Sequence, residues 1–275
     1  MSLPHTAAAH RAPYRLSGPR ILSAGAKAWF LAAVLGQLAF VVFIALFYGV
    51  AVADGDLTGL NRKPHVTGYV PGDTAGNLQF LGHALLGGLI TFAGMLQLVP
   101  AVRRRWPALH RWNGRIFLGV STLVTVSGLV LVWGRGSRLG IGSDLSGTAN
   151  ALLILAFTVL AWRSALRRDL ATHRRHAVRA WLLVNGVWFL RVGIMLAALA
   201  LAPLGIKIDY EGAVFVGVSV ASWALPLAMA QLYFRAERSA HASVKSAVGG
   251  VLLVLALLTL TGSAAAVAWM WWPVL

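Results

Sequence analysis

The sequence predicts an all-α, polytopic membrane bundle of about seven helices. Three observations carry this. Hydrophobic residues make up 58% of the 275-residue chain and charged residues only 12%, too little charge to cover a soluble surface of that size. Seven apolar runs recur, each near the ~20 residues that cross a hydrocarbon core. The basic residues, 24 Lys plus Arg against 8 Asp plus Glu, collect in alternate connections between the runs. A net charge of +16 therefore reads as topology. No basic patch is interleaved with base-stacking aromatics, so nucleic acid is not the expected partner.

Residues 1–27 are polar and carry Arg11, Arg15, Arg20 and Lys27 with no acid. They read as a mobile cytoplasmic tail. The run 28–52 exceeds the ~7–15 residues of a signal-peptide core. It is kept as the first helix even though Ala51-Val52-Ala53 resembles a small-residue cleavage site. Runs at 78–100, 115–133, 147–163, 177–201, 213–234 and 247–271 follow. Together 28–275 form one transmembrane domain, with 78–133 and 147–201 as core hairpins and the first, sixth and seventh helices outside them.

The tail and the connections 101–115, 163–179 and 235–246 hold eighteen Lys or Arg, whereas the other side holds five. Basic loops stay in the cytoplasm, so the N-terminus is expected inside and the C-terminus outside a bacterial inner membrane. The arginine corners are then expected to meet anionic lipid head groups. Trp29, Trp106, Trp112, Trp133, Trp162, Trp181, Trp269, Trp271 and Trp272 fall near predicted helix ends and are read as interfacial anchors. The long connection 53–77, with Pro64, Pro71 and five glycines, is either a cover for the outer mouth or a plain linker.

The chain has no cysteine, which removes disulfides, thiolate metal sites, iron–sulfur clusters and covalent haem. Histidine is the strong ligand left beside the carboxylates. His83 starts the second helix in the outer leaflet, where it must face the bundle or water. It reads as a metal or haem ligand, or as an interhelical hydrogen bond. His110 closes the corner Arg105-Trp-Pro-Ala-Leu-His110-Arg111, and Arg168-Asp-Leu-Ala-Thr-His173-Arg174 repeats its spacing, with His176 one turn on. Facing imidazoles from these corners, His110 with His173 or His176, are the candidate axial ligands for a haem b iron. The other reading is a set of snorkelling side chains. Arg191 lies near the midplane, where an arginine costs ~2.5–3.5 kcal/mol, and no predicted helix core contains an acid to meet it. Trp188, Asn150, Asn185 or an anionic ligand are its candidate partners. His5, His10, His65 and His241 lie in tails or loops and are given no role.

Leu81-Gly-His83, Arg103-x-Arg105-x-Pro107-x-x-His110-Arg-x-x-Gly114-Arg115 and His173-x-x-His176 resemble an uncharacterised bacterial family of predicted multi-helix membrane proteins, over about 79–200. The resemblance implies fold and location and no activity. His83, His110 and His176 are also distantly similar in placement to the ligands of two-haem transmembrane b-type cytochromes of the ascorbate-dependent ferric reductase kind. Asn150 stands where the outer haem of that family would need its second histidine, so the likeness implies one inner haem. Two functional readings stay open. One is haem b- or quinone-linked electron transfer, with a redox partner. The other is a non-redox membrane protein, either a small-anion transporter or an accessory subunit binding lipid or a partner protein. An intramembrane hydrolase is disfavoured, because neither a Ser–His pattern nor HExxH is present.

Overall fold

The computed structural model describes residues 17–62 and 67–275. Arg11, Arg15 and the histidines at 5, 10 and 65 lie outside the described residues. Every regular element among the described residues is helical. The first span is α1 (Gly18–Ile44), continued through a π turn, Ala45–Gly49, into α2 (Val50–Ala53). After a 3-10 turn come α3 (Thr74–Leu98), the short α4 (Pro100–Arg105) and α5 (Pro107–Trp133). The chain then forms α6 (Ile141–Leu166), α7 (Leu170–Val184) and α8 (Gly186–Leu201). Last are α9 (Ala213–Arg238) and α10 (Ala242–Ala266). Seven of these segments are long and apolar enough to cross a membrane. The protein is therefore a multi-pass integral membrane protein, with its first and last spans running in the same direction, Gly18 beside Ala242 and Gly36 beside Ser263. We call the face carrying the arginine corners the basic end.

The helices outrun the apolar runs at the basic end. Arg103, Arg104 and Arg105 lie on the last turn of α4, and Pro107 occupies the first turn of α5, a position where its missing N–H costs nothing. Residues 18–27, read as tail, are helical. Arginine is a good helix former and its head group reaches water from a lipid-facing helix, so a basic flank extends a span. The two histidine corners share one local structure. His110 N–H donates to Trp106 O at 3.0 Å and His173 N–H to Asp169 O at 2.9 Å, which places both histidines on the first turn of a helix.

Packing departs from a hairpin core with α1 outside. The most extensive pairing in the bundle joins α1 to α10. There Gly25 lies against the Gly249 backbone so closely that a Cβ would meet the Gly249 carbonyl, the close approach that small residues allow between membrane helices. From α1 and its π turn, Phe40, Phe43 and Phe47 enter the central cluster with Trp181, Trp188 and Trp271. Elsewhere α3 packs along α5, α6 along α7, and α8 against α9 and α10. Trp181 and Trp271 are each only 2% exposed and are core residues rather than interfacial anchors. Each ring replaces lipid contact with dense aromatic packing, Trp181 on Trp29 and Trp271 on Phe40 and Phe43. Trp106, Trp112, Trp133, Trp162, Trp269 and Trp272 are exposed, as anchors would be.

Candidate functional site

A cavity of about 740 Å³ opens in the half of the bundle opposite the basic end. Six of the seven spans line it. Phe40 and Tyr48 come from the first span, His83 from α3, Gly128 from α5, Asn150 from α6, Arg191 from α8 and Trp223 from α9. Its walls are mainly apolar with a few polar groups, the composition of a small-molecule site.

His83 stands against Gly128. A Cβ at position 128 would lie 3.0 Å from His83 Cε1, so glycine makes the room for the imidazole. Its Nδ1 is buried without a partner. Asn150 Nδ2 donates to Leu183 O at 3.2 Å, and its Oδ1 is left buried and unpartnered. That bond falls where the fifth span breaks. Asn185 separates α7 from α8 and donates from Nδ2 to Trp181 O at 2.8 Å. Broken helices inside membranes are tolerated where they border protein or a cavity, and Val184, Gly186 and Val187 all border this one.

Arg191 reaches the cavity from α8. Its Nη1 donates to Val187 O at 2.8 Å, and its guanidinium lies 5.0 Å from the centre of the Phe40 ring. The cation–π partner is thus Phe40 on α1 rather than Trp188, which is fully buried against Phe189. No carboxylate meets Arg191 among the described residues.

Two ion pairs form the mouth. Arg135 Nε donates to Asp73 Oδ2 at 2.8 Å and Arg138 Nε to Asp144 Oδ2 at 2.8 Å. The Gly76 N–H, as the N-cap bond of α3, and then Arg135 hold the Asp73 carboxyl below the usual carboxylate range. Asn77 exchanges two hydrogen bonds with the Val70 backbone, at 2.9 and 2.8 Å, and accepts from Arg135. These contacts fold the connection after α2 over the cavity, with Thr67, Val70 and Asp73 on its lining. Asp144 lies ahead of the apolar run that begins at 147, yet it is helical and buried. α6 begins at Ile141, and Asp144 in its first turn is 6% exposed.

Of the residues singled out from the sequence, His83 and Arg191 share this cavity, whereas His110, His173 and His176 do not line it. They sit toward the basic end. His173 Nδ1 is 2.9 Å from Ala161 O. A carbonyl only accepts, so Nδ1 is the donor of that bond. The His176 ring packs on Phe157, 6.0 Å between centres. His110 is within electrostatic reach of His173 and Arg103. No cluster of three or more His, Cys, Asp or Glu able to hold a metal occurs among the described residues. Sequence reasoning missed Asp73, Asn77, Arg135, Arg138 and Asp144. The available signal was charge of both signs in the two connections of the less basic side, beside helix N-termini where acids are favoured.

The architecture defines a class: a seven-span integral membrane protein with a polar-floored cavity in one half. Within that class, residues 80–234, more than half of the chain, match the family described as "Predicted membrane protein (DUF2306)", a domain of unknown function, and the chain belongs to that family. No curated protein and no solved structure matches the chain. The matched region holds His83, Asn150 and Arg191, while Phe40 and Tyr48 of the first span lie outside it.

Proposed function

We propose that the protein binds a lipid-soluble molecule with a single anionic head, taken from or passed to the bilayer through this cavity. One observation carries the reading. Arg135 and Arg138 are each neutralised by a carboxylate, which leaves Arg191, among the described residues, as the cation of the lining without a carboxylate partner. A carboxylate or phosphate head would supply charge-assisted bonds there. The aromatic wall of Phe40, Phe43, Phe80 and Phe215 suits an apolar body.

A quinone-class head is the second reading, and it retains the electron-transfer expectation. It is favoured because a donor, Arg191, and an unpartnered acceptor, Asn150 Oδ1, open into the same space. A carbonyl oxygen would accept from Arg191, and a quinol hydroxyl would donate to Asn150 Oδ1 or to His83 Nδ1. On the positive-inside rule the basic end faces the cytoplasm, and the exposed Arg103, Arg104 and Arg105 would meet anionic head groups there.

Thermal unfolding of the purified protein in detergent tests both readings. A long-chain carboxylate or phosphate amphiphile at ~100 times its Kd should add about 2.7 kcal/mol of stability, and Arg191→Leu should abolish that gain while the empty variant still folds. Stabilisation by a short-chain quinone alone would move the assignment to the second reading. No stabilisation by either, or an unchanged response in Arg191→Leu, would overturn the site. An absorption spectrum of the same preparation decides the haem expectation, since a Soret band lost in His110→Ala or His176→Ala would support it.

A further inference from the structure

Two helical spans beside the cavity lose their regular backbone, and cross-contacts put both interruptions at one level. Asn185, with φ −85° and ψ 9°, divides α7 from α8. Pro226 lies inside α9, where it has no N–H for the Ser222 carbonyl four residues back. Ser222 Oγ donates to Ser219 O at 2.7 Å, a back-bond of the kind that bends helices. α9 runs antiparallel to α7 and α8. Arg179 Nη2 donates to Gln231 Oε1 at 2.8 Å. Six residues on from Arg179 is Asn185, and five before Gln231 is Pro226. A Cβ on Gly193 would lie 2.8 Å from Val218 Cγ1. Eight residues before Gly193 is again Asn185, and eight after Val218 is Pro226. α6 gives the same level. Trp223 Nε1 donates to Ser146 Oγ at 3.0 Å, with Pro226 three residues beyond Trp223 and Asn150 four beyond Ser146. Asn150 flanks the break directly, its Nδ2 bonded to Leu183 O and 2.8 Å from a Cβ placed on Gly186.

The halves on either side of this level are held differently. On the basic side, Arg174 grips Glu237 through two bonds of 3.0 Å, and Arg174 and Arg179 both lie over the Phe234 ring. α7 and the end of α9 are thereby clamped together by charge. On the cavity side, α8 meets α9 through Gly193 and Val218, and α9 meets α6 through the Trp223–Ser146 bond and the contact of Val216 with Gly142. The cavity lies on this second side. α9 lines it with Phe215, Ser219, Ser222 and Trp223, all before Pro226, and α8 with residues such as Val187 and Arg191, after Asn185. The α6–α9 seam is its wall against the bilayer, with Leu145 57% and Val220 40% exposed beside it. α10 meets α8 at Gly262, where a Cβ would lie 2.8 Å from Val192 O, a backbone approach along which packed helices slide by shear.

We propose that the level of Asn185 and Pro226 is a hinge. α8 and the cavity half of α9 tilt together on the clamped basic half, part the α6–α9 seam, and admit a lipid-soluble ligand sideways from the bilayer. A helix bends most readily where its hydrogen-bond ladder is already interrupted. Asn150 Oδ1 and Asn185 Oδ1 are buried without partners, acceptors at hand for a backbone N–H released as the break changes shape. The entry route rests on the binding role proposed above, whereas the hinge itself does not.

The chain has no cysteine, so introduced pairs report without background. Two spin-label pairs on the full chain in proteoliposomes measure the motion. Leu145→Cys/Val220→Cys spans the cavity half of the seam and Leu160→Cys/Leu232→Cys the basic half, all at exposed positions. The first pair should give a distance distribution several ångström broader than the second. Pro226→Ala, which restores the missing N–H, should narrow it to the width of the second. A disulfide then locks the seam, since a Cβ at position 142 would lie 3.6 Å from Val216 Cβ, inside the ~3.5–4.5 Å that a disulfide spans. Doxyl-labelled stearate is the ligand probe, read by the part of its tryptophan quenching that Arg191→Leu removes. That part should develop several-fold more slowly in oxidised Gly142→Cys/Val216→Cys than in the same protein reduced. Equal widths at the two label pairs, or a width unchanged in Pro226→Ala, would overturn the hinge. Equal quenching rates in oxidised and reduced protein would overturn the seam as the entry. No Arg191-dependent quenching in either form would strike the ligand reading instead, and the distance widths alone would then decide the hinge.

Discussion

Removing either partner of the Arg138–Asp144 pair should have unequal effects, because the two side chains differ in burial. The bond is 2.8 Å, with the carboxylate side chain 5% exposed and the guanidinium side chain 43% exposed. Arg138→Ala leaves a buried charge whose remaining contact is the Leu139 N–H at 3.3 Å, and should cost about 3 kcal/mol. Asp144→Ala frees an arginine that turns into water. Its loss is one half-exposed ion pair and a first-turn acid on the α6 dipole, together about 1–2 kcal/mol. The double variant leaves no buried charge and should resemble Asp144→Ala, giving a strong non-additive coupling. Tryptophan fluorescence of the detergent-solubilised protein would read this out as unfolding transitions. The arginine variant should lose roughly 6–12 °C at ~2–4 °C per kcal/mol, well beyond the aspartate variant. Equal losses, or an additive double variant, would refute the claim that Asp144 is held as a buried charge at the cavity mouth.

Other perturbations separate the roles of neighbouring groups. The Asp73 carboxyl is held low by the Gly76 N–H and Arg135, so its contribution is present above the unfolded carboxylate pKa of ~3.9 and is lost as pH falls through the lower folded value. Thermal scans in acid should show this loss in wild type and not in Asp73→Asn. Gly128→Val projects a side chain at the His83 ring, 3.0 Å from the first added carbon. It should abolish ligand stabilisation, and a ligand response like that of wild type would place His83 outside the binding surface. Trp181→Ala should cost about 3–5 kcal/mol as a core truncation, whereas Trp272→Ala, at a ring 73% exposed, should change stability by less than ~0.5 kcal/mol. Comparable losses in the two would return Trp181 to the interface.

Much of the architecture was legible locally. The positions of the spans follow from length and hydropathy. The shared Arg-x4-His-Arg spacing of the two corners has the same local outcome, with His110 and His173 on the first turns of α5 and α7. The site was read less well. The sequence put weight on the basic-end histidines, yet the polar-floored cavity lies at the other end. His83 and Arg191 were singled out separately, from single-residue cost, with no indication that they line the same cavity. Asp144 was lost from view because α6 begins six residues before the apolar run at 147, its first turn being polar.

By itself the sequence determined a membrane bundle, its seven crossings and the sign of charge at each end. These are properties of one segment in contact with hydrocarbon or water, and they need no knowledge of neighbours. Only the tertiary structure decided which residues meet. It brought α1 into the core against α10, broke the fifth span at Asn185, folded the connection after α2 over the cavity, and turned His83, Asn150 and Arg191 toward one space. Depth can be counted along a single helix, whereas azimuth and partners depend on how several helices pack.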